Sequence, residues 1–202
     1  MGYILETKTQ NGVTCNVSYD EYTDSPREWD NLSKLALKHS RYNLPNETDI
    51  NLNDIESLSE LVDIVNSMYD IKVLKFVSMY DHSGVSLSIH DIDDIPSGFD
   101  NSLIGIAFIE NNEEIKEYYA DTTDEKLTEY LYNEVKTYSQ YLNGEVYRFD
   151  VIDDETGEQL DCGGGYYSVE EAMTESDFQY WIDEKYNEKH GISRNQLQIE
   201  FS

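Results

Sequence analysis

The sequence predicts an α+β fold, a mostly antiparallel sheet with three to four amphipathic helices packed on it. Three observations carry that prediction. Segments of strand character come in pairs joined by short turn segments, which is hairpin spacing. Segments with apolar residues at three- and four-residue intervals lie between them. And 39% of the 202 residues are hydrophobic and 12% aromatic, which is too apolar for a disordered acidic chain.

The elements follow in order. YILETK (3–8) and VTCNVSY (13–19) read as two strands about the tight-turn pair Asn11-Gly12. SPREWDNLSKLALKH (25–39) reads as a helix, with Ser25 as cap, Pro26 at the first helical position and Glu28 three after the serine. It would hold Arg27, Lys34 and Lys38, with Arg41 just beyond. A second helix is expected over 54–69, capped by Asn53, with its stripe on Leu58, Leu61, Val62, Val65 and Met68. IKVLKFVSMY (71–80) and SLIGIAFIE (102–110) are apolar on both faces and should be central strands. VSLSI (85–89) pairs with the first of them through the Asp81–Gly84 turn.

The helix over 124–142 carries a capping box, Thr122 and Glu125, a stripe on Leu127, Leu131, Val135, Tyr138 and Leu142, and a terminating Gly144. EVYRFDVID (145–153) and EQLDCGGGYYS (158–168) form a hairpin about Glu155-Thr156-Gly157. A last helix falls within 169–190, with Phe178, Trp181, Ile182 and Tyr186 on one face, and QLQIEF (196–201) reads as a terminal strand. All three apolar stripes are expected to pack on one sheet. The length suits a single domain, 1–202.

Charge is the outstanding feature. With 42 acidic and 14 basic residues the formal net charge is -28. Residues 42–71 hold seven acids, 76–115 eight and 149–184 twelve, none of the three stretches with a lysine or arginine. An ordinary solvated face interleaves both signs. Such a field repels nucleic acid and anionic lipid and favours basic protein partners. No signal peptide or membrane-spanning run is read from the sequence, and Cys15 and Cys162 are too few for a disulfide framework, so a cytoplasmic setting is expected.

Catalytic and metal chemistry find little support. Neither 91–102 nor Asp153–Gly157 fits the calcium-loop frame. His39, His82, His90 and His190 are scattered, without zinc-ligand spacing. Cys162 reads as an inert thiol, not a nucleophile. Gly163-Gly164-Gly165 lacks the helix and lysine of a phosphate loop and reads as a bulge beside tyrosines. Carboxylate pairs are uninformative where acids are so many. The reading is of a non-enzyme without cofactor or metal. The tyrosines Tyr118, Tyr119, Tyr130, Tyr132, Tyr138 and Tyr141 read first as core and rim packing, and second as an interface that would allow a homodimer.

Carboxylates recur every second residue on one face of a strand, about 6.6 Å, or one helical turn apart, about 5.4–6 Å. Either spacing approximates that of phosphates along a nucleic-acid strand. The acids expected to contact a partner are Asp91, Asp93, Asp94 and Asp100, then Asp153, Asp154, Glu155 and Glu158, then Glu170, Glu171, Glu175 and Asp177.

Four blocks, DEYTDSPREWDNL (20–32), YDHSGVSLS (80–88), EVKTYSQYLNGEVYRFDV (134–151) and CGGGYYS (162–168), resemble segments of a family of small acidic proteins carried by phages and conjugative elements. That family brings no function to transfer residue by residue. The chain departs from it where a Cys-Pro-Trp segment is expected and Asp91–Asp100 stands, and where a tryptophan is expected in place of Gly163 or Gly164. Mobile elements also carry acidic antirestriction and anti-CRISPR proteins that look like DNA, a likeness of charge and context rather than motif. The expected function is accordingly an inhibitor of a host defence system, restriction or CRISPR-type, acting as a DNA mimic in the basic groove of a host nucleic-acid-binding protein. Direct contact with nucleic acid or membrane is not expected. Two alternatives stand beside it: a binding module whose contacts come from 25–32 and 80–88, and a hydrolase using metal held by Asp81, Asp91 or Asp93.

Overall fold

The computed structural model describes residues 3–82, 84–96 and 101–191. In chain order the strands are β1 (Ile4–Gln10), β2 (Val13–Tyr19), β3 (Ser33–Leu37), β4 (Ile71–Asp81), β5 (Val85–His90), β6 (Asn101–Glu110), β7 (Tyr147–Asp153) and β8 (Gln159–Tyr166). The α-helices are α1 (Leu58–Met68), α2 (Glu113–Tyr118), α3 (Asp124–Leu142), α4 (Val169–Glu175) and α5 (Phe178–His190). The fold is α+β with two four-stranded antiparallel sheets, ordered β1-β2-β7-β8 and β3-β6-β4-β5. Where the sequence reads as one domain, the chain divides into two compact units: one runs up to Asp24 and resumes at Gly144, and the other is Ser25–Asn143.

In the first unit, Asn11 and Gly12 both take positive φ, 53° and 83°, the primed-turn geometry that joins β1 to β2 without splaying them. Along β2 buried and half-buried residues alternate, and Val13, Cys15 and Val17 meet Phe149 and Val151 of β7 beneath Ala172 and Met173 of α4. Phe178 and Trp181 of α5 pack on the same cluster. Burial raises the pKa of the Cys15 thiol. The expected single helix over 169–190 is two: α4 ends at Ser176, and Asp177 takes a left-handed φ of 46° before α5 begins. Tyr186, expected on the buried face of α5, is 48% exposed.

In the second unit, β4 and β6 are central, as their two-sided apolar runs require. One face carries Leu35, Leu37, Val77, Met79 and Ile109 against Leu127, Leu131 and Val135 of α3. The other carries Ala36, Phe76, Ile106 and Phe108 against Leu61 and Val65 of α1. The three stripes therefore do not share one sheet. Those of α1 and α3 lie on opposite faces of the second sheet, while Phe178 and Trp181 pack on the first. Both expected caps are displaced: Ser57, four residues beyond Asn53, caps α1, so 54–57 is not helical, and Thr123 rather than Thr122 caps α3.

The expected helix over 25–39 does not form. Its cap does: Ser25 Oγ accepts the Arg27 N–H at 3.2 Å, and Pro26–Glu28 make a single 3-10 turn. Beyond it Ser33–Leu37 is strand β3, the edge partner of β6. Leu32, Leu35 and Ala36 fit a helical interval, but Leu35-Ala36-Leu37 fit equally a strand buried on both faces, and short apolar runs do not separate the two. Asn31 decides locally, its amide donating to the carbonyls of Pro26 at 2.9 Å and Trp29 at 2.8 Å and so ending the turn. The expected strand 196–201 and Ser83 of the β4–β5 turn lie outside the described residues.

Candidate functional site

The first acidic cluster sits on the β5–β6 connection. Asp91 precedes a 3-10 turn, Ile92–Asp94, and its carbonyl accepts the Asp94 N–H at 3.1 Å. Ile95 packs beside the α1-side core and holds the turn to the sheet. Asp91, Asp93 and Asp94 are all exposed. Asp91 is nevertheless paired, accepting from Lys75 Nζ at 2.6 Å. Lys75 lies at the border of a base-free stretch in sequence, but the β4–β5 register sets Phe76 opposite His90 and brings that lysine alongside. Among the described residues Asp93 and Asp94 have no base within ion-pair distance. Asp100 lies outside the described residues.

The second cluster belongs to the other unit. The structure withdraws one of its acids. Asp153 is 5% exposed. Its Oδ1 accepts the N–H groups of Glu155 at 2.8 Å and Thr156 at 3.2 Å, closing the β7–β8 turn, while Oδ2 accepts from Lys185 of α5. The ammonium, and then the two N–H groups, hold this carboxyl below the usual aspartate range, and the carboxylate in turn raises the lysine. Asp153 is thus a structural residue and not a partner contact, because both its oxygens are consumed inside the unit.

Asp154, Glu155 and Glu158 remain exposed on that turn, and the Asp154 N–H donates to Gly12 at 2.9 Å, tying the two hairpin turns together. Glu170 and Glu171 occupy the first turn of α4, where acids suit the helix dipole. Glu171 Oε2 also accepts the Tyr167 N–H at 3.1 Å, while Ser168 Oγ accepts that of Glu171 at 3.0 Å. Glu175 and Asp177 are exposed at the α4–α5 corner.

A third acidic surface was not among the expected contacts. On α2 and the start of α3, Glu113, Glu114, Glu117, Asp121, Asp124 and Glu125 are exposed, beside Tyr118 at 72% and Tyr132 at 50% exposure. Lys116 interrupts the acids here, so no base-free stretch marks this surface in the sequence. The helical period is the signal that finds it, since Tyr132 falls off the Leu127/Leu131/Val135 stripe. The other tyrosines of this region pack inward. Tyr138 is buried, with its pKa pushed up to about 12 chiefly by desolvation, and Tyr119, Tyr130 and Tyr141 flank the core.

Most of the bases pair with acids, some on the surface and some inside the fold. Among the described residues ten lysines and arginines form ion pairs, and these engage eleven acids. The deepest is Arg27, whose side chain is 6% exposed. It donates from Nε and one terminal nitrogen to Glu47 at 2.8 and 2.6 Å, and to the Ser33 carbonyl at 2.7 Å. Glu134 of α3 stands 3.6 Å away and accepts the Leu32 and Ser33 N–H groups at 2.8 and 3.0 Å. The 25–32 block is therefore mainly an internal brace, with Trp29 exposed at its rim.

The 80–88 block has an internal role too. Asn143 Oδ1 accepts the Val85 N–H at 2.8 Å and Ser139 Oγ that of Leu87 at 2.9 Å, so the C-terminal end of α3 covers the β5 edge. Asp81 pairs with Arg41 and hydrogen-bonds Tyr42, raising that phenol. Of the carboxylates named for a metal, Asp81 and Asp91 are thus engaged by bases. Among the described residues no group of three or more His, Cys, Asp or Glu side chains is placed to hold a metal ion.

The glycine run of β8 is a bulge: Tyr147 faces Tyr166 while Phe149 faces Gly163. A Cβ on Gly163 would stand 2.7 Å from both the Phe149 ring and the Tyr166 hydroxyl, and one on Gly164 would stand 2.3 Å from the Asp20 carboxylate. A side chain at 163 would have to displace the stacked Phe149 and Tyr166 rings, and one at 164 the Asp20 carboxylate that accepts the Gly165 N–H. No helix among the described residues is long and apolar enough to cross a membrane. In comparison with known proteins, no family model, no curated protein and no solved structure matches this chain.

Proposed function

We propose that this protein is an inhibitor that acts by binding, an acidic mimic of DNA that occupies the basic nucleic-acid groove of a host defence protein. The observation that carries the reading is the division of charge. The bases are drawn into ion pairs, and several of these brace the fold, whereas most acids face solvent without a base. Acids also recur one helical turn apart, as Glu171/Glu175, and as Glu113/Glu117 and Glu125/Glu129, where Lys116 and Lys126 each pair with one acid of the two. Like charges at that interval weaken an isolated helix by about 0.2–0.5 kcal/mol per pair. A surface shaped for solubility alone gains nothing from that arrangement, but a surface that replaces phosphates does. The binding-module alternative is less favoured because Arg27, Asn31, Val85 and Leu87 make their hydrogen bonds inside the protein.

The test is competition between this chain and labelled duplex DNA for a target captured from host lysate. The mimic displaces the duplex, its complex weakens steeply with salt, and neutralised carboxylates lower affinity in modest, additive steps. Asp93→Asn with Asp94→Asn, and Glu171→Gln with Glu175→Gln, probe the two units separately. Simultaneous binding of protein and duplex, with both double variants as potent as the parent, overturns the reading. A loss concentrated in Trp29→Ala instead would identify a focused contact.

A further inference from the structure

The two sheets treat their edges differently. In the second sheet, Ser139 and Asn143 hold N–H groups along β5. Along β3, the Leu37 N–H donates to the Pro45 carbonyl at 3.0 Å, that of Leu35 to the Glu47 carboxylate at 2.7 Å, and the Glu47 N–H to the Leu35 carbonyl at 2.8 Å. In the first sheet β1 is, among the described residues, an edge with β2 as its one strand partner. Its seven residues, ILETKTQ, contain no proline, and Ile4 and Thr7–Gln10 are exposed. Among the described residues no strand pairs with the outer side of β1, and an open edge is a template for another strand.

We infer that β1 is a self-association strand, and that two copies of this chain pair antiparallel through it about a two-fold axis at Thr7. The charge pattern of the strand selects this occupant. Glu6 and Lys8 are its charged residues, side by side on one face, with side chains 42% and 53% exposed and 3.6 Å apart. In antiparallel pairing centred on Thr7, Glu6 of each copy stands opposite Lys8 of the other, and both charges are met twice over. Centring the axis one residue later sets Lys8 against Lys8, and one residue earlier Glu6 against Glu6. The sequence thus satisfies itself in one register and repels itself in both neighbours, which is the form of specificity an isologous contact needs. The register irregularity between Ile4 and Glu6 lies outside the Glu6-Thr7-Lys8 centre. Apolar groups stand ready at the same edge, with Tyr3 76% and Ile4 44% exposed, and Ile4 shares a shallow depression with Tyr22, itself 90% exposed.

The experiment is sedimentation of the full chain in about half-molar salt, where repulsion between two bodies of net charge -28 is screened. The parent sediments as a concentration-dependent dimer. Glu6→Lys and Lys8→Glu, each of which sets like charges opposite one another twice, raise the dissociation constant by about tenfold or more. The double exchange, Glu6→Lys with Lys8→Glu, restores the parent value. Circular dichroism melts of all four proteins check that the fold is kept, which exposed positions allow. A parent that stays monomeric at every concentration overturns the inference, and so do folded single variants that dimerise as well as the parent. Because the complex with a mimicked-groove target weakens with salt while this dimer does not need low salt, failure of one leaves the other standing.

Discussion

The two sheets have the same strand number and the same antiparallel pairing, yet they are buried differently. The second has α1 on one face and α3 on the other, and its central strands read as unbroken apolar runs, VLKFVSM and LIGIAFI. The first has α4 and α5 on one face, and its strands alternate: Val13, Cys15 and Val17 point to the helices while Thr14, Asn16 and Ser18 are half-buried on the other side. The charges divide in a related way. Where Ser25–Asn143 packs most deeply, Arg27, Glu47 and Glu134 are built into the interior as a brace. In the other unit one buried pair, Asp153 with Lys185, closes a turn, and seven of the expected contact acids stay outside. A carboxylate's role in this protein is thus set by whether a backbone N–H or a base lies within reach, and not by how many acids surround it in sequence.

The largest expected effect tests the brace. Arg27→Ala leaves Glu47 and Glu134 in a partly buried site without their counter-ion and should destabilise by about 3–5 kcal/mol, as removal of one partner of a buried pair does. Urea unfolding measures it, and a loss under about 1 kcal/mol would mean that water replaces the guanidinium and the brace is incidental. Leu131→Ala comes next. It is fully buried against the second sheet, and truncation should cost about 2–5 kcal/mol; a midpoint unchanged within error would contradict the packing of α3.

The Asp153–Lys185 pair gives a pH signature confined to the first unit. The folded-state pKa of Asp153 is lowered, so its contribution is fully present above the unfolded value of about 3.9 and disappears as pH falls through the folded value. Melting temperature should therefore rise from neutral pH toward about pH 5, as protonation relieves repulsion, and then fall steeply below about pH 4. Asp153→Asn should flatten the acid limb while leaving the rise intact. An acid limb identical in both proteins would assign acid unfolding to other carboxylates. The smallest effect belongs to the exposed acids. Asp93→Asn with Asp94→Asn should change stability by no more than about 0.5 kcal/mol, with any change a gain at low salt that vanishes in high salt. A substantial loss would show these side chains bound within the fold.

Much of the architecture was legible in the residues. Strong local signals were enough for the Asn11-Gly12 turn, for α3 between its threonine cap and Gly144, and for the two central strands with their continuous apolar runs. The bulge at Gly163–Gly165 was legible as well, because a run of glycines inside a strand has few other uses. The segment 25–39 is ambiguous in sequence for a physical reason: a cap signal specifies where a helix starts but not that it continues, and Leu35-Ala36-Leu37 satisfy either period. The candidate site was legible as composition and not as a surface. Nothing local to DIDD shows that Lys75 lies beside it, nor does DDET reveal that its first aspartate is buried under α5.

The sequence by itself determined the class of the protein: an ordered, strongly acidic α+β chain whose hairpins and helices follow from short-range periodicity, turn chemistry and caps. The tertiary structure alone decided which charges distant in the chain meet. Ion pairing depends on approach within a few ångströms, and here that approach is made by residues far apart in the chain, Arg27 with Glu47 and Glu134, Lys75 with Asp91, and Asp153 with Lys185. It likewise decided that the apolar stripes serve two sheets instead of one, because a helix stripe specifies that a face is buried but not against what.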